Sequence, residues 1–379
     1  MVLSFGAKNF FCFHEGLDVS FELSQNCPNS ISQGQEVAKV TCVKGANASG
    51  KTNALKILPT IGQFCSKSFS LKPDEEIKIE TFFNNVQPAE FYLEYTIDSI
   101  RYHYELTVTR KKVISERLYR TIKRDTLIIE RLENKFTKCI SEYNELKKVK
   151  LRSNASFIST AYQYEMDSIN KQYYFFGNII GNVSYLGLSD RKLRLANVTR
   201  SYHRNPNRFK FIKNLILDCD LGIHDIEIRT RKNDEGQDIY YPVFLHKVKE
   251  KIYYLDFYHQ SNGTKALYLN LMYYWIALYY GGILVMDEFD INFHPHILPK
   301  LVKLFTNSKS NPLQAQFLFT THNSEIMDIM GKYRTVFINK DDNESYGYRL
   351  DEIPGDILRN DRSILPVYNA GKIGGVPRI

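Results

Sequence analysis

Apolar and polar positions alternate from the first residues of the chain. "VLSFGAKNF" and "LDVSFEL", separated by a turn at His14 to Gly16, read as two half-buried strands. A third segment, "EVAKVTCVKG", is more continuously apolar and runs into "GANASGKT". The next stretch, "NALKILPTIGQFCSK", switches to helical spacing, with Pro59 as an interruption. Period two returns between about 76 and 115 in "EIKIETFF", "AEFYLEYTID" and "IRYHYELTV", the last two joined across Asp98 and Ser99. This pattern predicts an antiparallel meander.

The middle of the chain is less regular. Leu132, Phe136, Ile140, Tyr143 and Leu146 recur at helical spacing, and "YEMDSINKQYYFFGNIIGNV" also suits a helix. No heptad array is long enough for a coiled-coil arm. After polar hairpins at 223 to 257, strand and helix patterns alternate through "ILVMDEFD", "HILPKLVKLFTN", "QAQFLFTTHN", "EIMDIMG" and "RTVFINK". Such alternation predicts a mainly parallel sheet flanked by helices. The expected fold is therefore α/β, in three regions: 1–115 with the meander, a largely helical insertion at 116–222, and 223–379.

Charge sharpens this division. The chain has 379 residues and a net charge of +8, but residues 110 to 152 and 191 to 213 are strongly basic while the remainder is acidic. The second window interleaves arginines with Tyr202, Phe209 and Phe211, a composition compatible with contacts to nucleic-acid phosphates and bases, with a solvated arm, or with docking of an acidic protein. Six scattered cysteines without metal-ligand spacing, and no apolar leader pattern, point to a reduced, cytoplasmic setting. The uncharged run from Ala266 to Met286 has the length of a membrane span. Asn270, the tyrosines and the pair Gly281-Gly282 instead suit a buried helix, a turn and a buried strand, so no membrane partner is expected.

The candidate chemistry begins with Gly45, Ala46, Asn47, Ala48, Ser49, Gly50, Lys51 and Thr52, a full GxxxxGK[ST] pattern between a predicted strand and a predicted helix. In such a loop backbone N–H groups surround phosphate oxygens, the lysine reaches the β- and γ-phosphates, and the threonine hydroxyl ligates Mg²⁺. A second element is "GGILVMDEFD", a buried strand ending in Asp287 and Glu288. Asp287 is placed to hold Mg²⁺ and Glu288 to act as general base on water. A third is "FLFTTHN", which places His322 at a strand end; such a histidine is either structural or a donor to the γ-phosphate.

The order of these motifs resembles that of ABC-type ATPase heads, and in detail the SMC, RecF and OLD branch. It is most similar to the small ATPases of bacterial anti-phage systems of the PARIS, AbiL and RloA types. Asn53 after Thr52, the N-terminal "KNFFCF", "FHPHI" after the carboxylates, "TTHN" and "GKIGGVP" carry the likeness, which covers about 1–115 and 255–379. The resemblance implies that "SNGT", Ser261, Asn262, Gly263 and Thr264, is the signature motif, which contacts the nucleotide bound to an opposite subunit. The same residues also suit a simple helix N-cap. It further implies a Mg²⁺-sensing glutamine, for which Gln163 is the candidate, and a loop after Glu288 containing Asp290, Asn292 and His294. His296 lies beside His294 with no third metal ligand, and the pair reads as loop. Phe11 stands where the family commonly has arginine.

On that resemblance the expected activity is ATP hydrolysis with Mg²⁺ in a homodimer or larger homo-oligomer. No long coiled coil or attached nuclease is read from the sequence, so the output is expected on a separate effector, such as a Toprim-like nuclease, with a phage-derived trigger. A RecF-like DNA-binding ATPase is the alternative.

Overall fold

Two sheets share one buried helix. The computed structural model describes residues 1–188, 193–220, 222–355 and 357–375. The seven-stranded first sheet is wholly antiparallel, in the spatial order Leu17–Ser20, Val2–Lys8, Ala89–Ile97, Ile100–Val108, Val113–Thr121, Asp125–Leu132, Lys135–Cys139. The six-stranded second sheet runs Glu344–Arg349, Thr335–Asp341, Val40–Lys44, Gln316–Thr320, Ile283–Met286, Ile179–Gly181 and is parallel except at its first edge strand. A three-stranded antiparallel sheet, Asp225–Lys232, Asp238–Val248 and Lys251–Asp256, occupies the expected hairpin region.

The parallel strands are buried on both faces, and side-chain alternation divides them between two cores. Ile283, Val285, Leu318 and Val43 join the core under the meander. Leu284, Met286, Phe317, Phe319, Val40 and Cys42 face the opposite core, which contains the helix Asn262–Tyr280. The helix Lys51–Lys67 packs in the first core and continues through Pro59 without a break. Its close approach to the second sheet is set by Gly62, where a Cβ would lie 3.0 Å from the Ile179 Cβ and the Phe176 carbonyl oxygen.

The middle of the chain departs from expectation. The predicted insertion boundary at 115/116 falls inside the strand Val113–Thr121. Leu132 and Phe136 lie on the paired strands Asp125–Leu132 and Lys135–Cys139, not on a helix, while Tyr143 and Leu146 lie in 3₁₀ turns. The meander thus extends to Cys139. "EIKIETFF" is irregular rather than a strand. The short helices Phe157–Gln163 and Asn170–Gly177 pack beside Lys51–Lys67, whereas Leu195–Arg204 and Pro206–Cys219 pack on Asn262–Tyr280. Region 116–222 is therefore distributed over both cores rather than forming one helical arm.

A buried ion pair explains why the longer meander is held in register. Glu116 and Arg131 face one another on adjacent strands, both fully buried, at 3.2 Å. The Glu116 carboxylate also accepts from the Tyr104 hydroxyl at 2.9 Å, Ser156 Oγ at 2.5 Å and Phe157 N at 3.0 Å. Burial pushes the Glu116 carboxyl upward in pKa, and Arg131 opposes that shift. Arg131 donates to the carbonyls of Glu133, Ala155 and Arg152. Arg152 in turn donates to the Ser68, Phe69 and Leu71 carbonyls just beyond the Lys51–Lys67 helix. Cation and carbonyl dipoles are complementary at that end.

Arg131→Met leaves a buried carboxylate without its cation and is expected to destabilise the chain by about 3–5 kcal/mol, read as a lower urea midpoint. Glu116→Leu with Arg131→Met should regain much of that loss. A single variant as stable as the native chain would rule out this role for the pair.

Candidate functional site

The loop Gly45–Thr52 joins the central strand Val40–Lys44 to the buried helix, and its curvature depends on two glycines. A Cβ on Gly45 would lie 2.3 Å from the Ile338 carbonyl oxygen and 2.5 Å from Ser49 Oγ. Gly50 has φ +110°, and a Cβ there would lie 2.7 Å from Cys12 Sγ. Gly50 also caps the helix without a side-chain bond, leaving first-turn N–H groups available to an anion. Ser345 Oγ donates to the Ser49 carbonyl at 2.7 Å and braces the loop from behind. Ser49 Oγ is buried without a partner among the described residues. Lys51 Nζ donates to the Gly45 and Ala46 carbonyls at 2.9 Å each, which keeps the ammonium over the loop. Burial lowers the Lys51 pKa, while Asp287 and Glu288 pull it back up.

Parallel pairing brings the other motifs to the same sheet edge. Ile283–Met286 pairs with Gln316–Thr320, which pairs with Val40–Lys44, so Asp287, Thr320 and Gly45 leave their strands together. Thr52 Oγ1 donates to Asp287 Oδ2 at 2.7 Å, and Thr320 Oγ1 donates to Asp287 Oδ1 at 2.5 Å. Asn182 clamps the same residue through its backbone, accepting from Asp287 N at 2.8 Å and donating to its carbonyl at 2.9 Å. These hard oxygen donors, a hydroxyl beside a carboxylate, fit a magnesium ion bound with phosphate.

Glu288 follows with φ +49°, in the left-handed region, and its N–H donates to Thr320 Oγ1 at 2.7 Å. Its carboxylate lies 3.4 Å from His322 Nε2. The Asp290 carboxylate accepts the N–H groups of His322 and Asn323 at 3.1 Å, fixing the histidine's loop. Lys44 Nζ supports that loop through the Thr321 and Asn323 carbonyls at 3.0 and 3.2 Å.

Together these groups line one cavity of about 400 Å³: Asn47, Ala48, Gly50, Lys51, Thr52, Asn53, Asp287, Glu288, His322 and Lys340. Asn53 also donates to Cys12 Sγ at 3.2 Å, which anchors the first helical turn. Three of the residues around the cavity carry no sequence signal as strong as the glycine loop. Asn182 directly follows the three-residue strand Ile179–Gly181, within a stretch whose apolar spacing suggests a helix, which conceals it. Lys340 reaches the cavity from the strand Thr335–Asp341, and Thr320 is marked only by its place before His322.

Gln163 does not join the site. It is exposed at the end of Phe157–Gln163, and the adjacent Tyr164 ring packs edge-on to Phe69, past the far end of the 17-residue phosphate-loop helix. That helix spans about 25 Å. The position next to Asp287 belongs to Asn182 instead.

Ser261, Asn262 and Gly263 do not line this cavity. Ser261 caps Asn262–Tyr280, its Oγ accepting from Thr264 N at 3.1 Å, so the N-cap reading holds. Ser261 and Asn262 are exposed, and a Cβ on Gly263 would lie 2.9 Å from the Asn292 carbonyl oxygen, placing this turn against the loop after Glu288. His294 and His296 share a short turn in which His294 Nδ1 accepts from His296 N at 3.3 Å.

The basic window also resolves differently from its composition. Tyr202 is fully buried and donates to the Tyr268 carbonyl at 2.7 Å, while Phe209 and Phe211 pack against the same core. The Tyr202 ring is therefore unavailable to stack on bases, while Phe209 and Phe211 are only partly buried. Arg191 and Lys192 lie outside the described residues. The Phe11 ring holds Lys56 Nζ 3.7 Å from its centroid.

Among curated proteins none matches the sequence. Solved structures that resemble the chain include the SMC head domain from Thermotoga maritima, at 15% identity and TM-score 0.43, covering 92% of this chain and 98% of that one; and an SmcHead bound to the C-winged helix domain of ScpA, at 12% identity and TM-score 0.47, covering 93% and 99%. The family model described as "AAA domain, putative AbiEii toxin, Type IV TA system" matches residues 40–328, a span that includes the phosphate loop, both carboxylates and His322. With more than half of its length matched, the chain belongs to this AAA domain family.

Proposed function

We propose that this chain is an ATP-hydrolysing switch subunit of a bacterial anti-phage defence system, acting as a dimer that governs a separate effector. One observation carries the reading. The cavity assembles a phosphate loop, a Thr52–Asp287 cation site and Glu288 beside His322, whereas Ser261 and Asn262 are exposed outside it. A helix N-terminus displayed away from its own site is suited to meet the phosphate held by a second copy. The family description, which names a toxin of a type IV TA system, supports control of a partner rather than a solitary enzyme.

In this reading the loop N–H groups and Lys51 bind the phosphates, and Thr52 and Asp287 hold Mg²⁺. When bound, the ion neutralises charge on the phosphate oxygens. Asn182 and Thr320 hold Asp287 in place from two sides. Glu288 accepts a proton from water, and His322 positions that carboxylate or donates to the terminal phosphate. Burial of Tyr202 in the core counts against base stacking by that ring in the DNA-clamping alternative, while Phe209 and Phe211 stay partly exposed.

Glu288→Gln should lower steady-state ATP hydrolysis by about 10²–10⁴-fold, the usual contribution of a general base, and accumulate an ATP-bound dimer by light scattering. Unchanged turnover would remove Glu288 from the chemistry. Ser261→Arg should leave ATP binding by each monomer intact but abolish dimer closure and hydrolysis; normal hydrolysis would refute the in-trans role. Tagged chain expressed with the product of the adjacent gene should co-purify with it and alter its activity. A solitary dimer with no effect on a co-expressed nuclease counts against the defence reading.

A further inference from the structure

A second cavity, of about 360 Å³, is lined by Asn197, Arg200, Ser201, Arg204, Asn205 and Arg208. It sits in the elbow between Leu195–Arg204 and Pro206–Cys219, on the opposite core from the phosphate loop's helix. Arg200 and Arg204 are one helical turn apart and exposed. Arg208 enters from the first turn of the next helix, whose N-cap is Asn205. No carboxylate lines the cavity among the described residues, so three guanidinium groups converge without a counter-charge. Arg208 is further committed to this place: its guanidinium stacks 4.1 Å from the Trp275 ring centroid, it contacts Ser201 Oγ, and its Nε is buried without an acceptor among the described residues.

We infer that this elbow is a binding site for a small polyphosphate-bearing ligand, separate from the ATP cavity. Three guanidiniums form a fork-shaped donor set suited to several phosphate oxygens. The volume is that of a small-molecule pocket, which typically begins at about 300 Å³. A nucleic-acid strand fits less well, because the neighbouring Tyr202 is buried and the arginines line a hollow instead of following a groove. The elbow also rests on the helix that begins after Ser261, through the Tyr202 hydroxyl on the Tyr268 carbonyl and Tyr268 Oη against Thr199 Oγ1 at 3.1 Å. A bound polyanion would therefore brace the turn that displays Ser261 by holding together the two helices packed behind it.

The test is calorimetric titration of inorganic tripolyphosphate into the full chain and into Arg200→Gln/Arg204→Gln. Both substituted side chains are exposed, and matching thermal unfolding of the two proteins verifies their fold. The double variant should lose one class of tripolyphosphate sites, its affinity falling about a hundredfold, or about tenfold for each charge-assisted contact removed. Mg-ATP binding at the phosphate loop should be unchanged, so failure there is read separately from failure here. Superimposable tripolyphosphate isotherms for the two proteins would overturn the inference. So would arginine-dependent binding seen only with a 12-nucleotide single-stranded DNA.

Discussion

The Thr52 hydroxyl bound to the Asp287 carboxylate is the contact on which the site depends, because it joins two motifs 235 positions apart in the chain. Neither residue moves independently. Thr52 is fixed by the first turn of a helix buried in the meander-side core, and Asp287 by a strand with cores on both faces. Thr320 and Asn182 complete the frame from the two flanking strands. The placement of the Asp287 carboxylate beside the glycine loop is thus a consequence of parallel strand order, which aligns the strand ends and leaves the connecting loops at one edge.

This dependence explains what could be read from the amino acids. The glycine loop, the Asp287-Glu288 pair and His322 each lie within a short segment whose local pattern states both the element and the chemistry. Asn182 is different: its role exists only because Ile179–Gly181 pairs beside Ile283–Met286, and no local pattern encodes that neighbour. Gln163 failed as a candidate for the converse reason. Residue type and approximate order suited the role, but its helix packs at the wrong end of Lys51–Lys67.

The meander was underestimated because a buried pair of charges interrupts period-two patterning. Glu116 and Arg131 are polar letters at interior positions, so alternation breaks where the strands continue. Leu132, Phe136 and Ile140 fall at spacings of four, which a hairpin with a bulge between Glu130 and Arg131 also produces. Similarly, Tyr202, Phe209 and Phe211 amid arginines suggest a stacking surface, yet Tyr202 is buried and the two phenylalanines partly so, while Arg200 and Arg204 are exposed. In both cases composition reported the residues correctly and their direction wrongly.

The backbone at Glu288 has a consequence for how this chain can change. A non-glycine residue at φ +49° carries conformational strain of about 1–3 kcal/mol, which glycine or asparagine would reduce. Selection for a sturdier fold alone therefore pushes this position away from glutamate. A chain that keeps glutamate here keeps that strain with it, so the carboxylate beside His322 is also where the fold itself favours replacement.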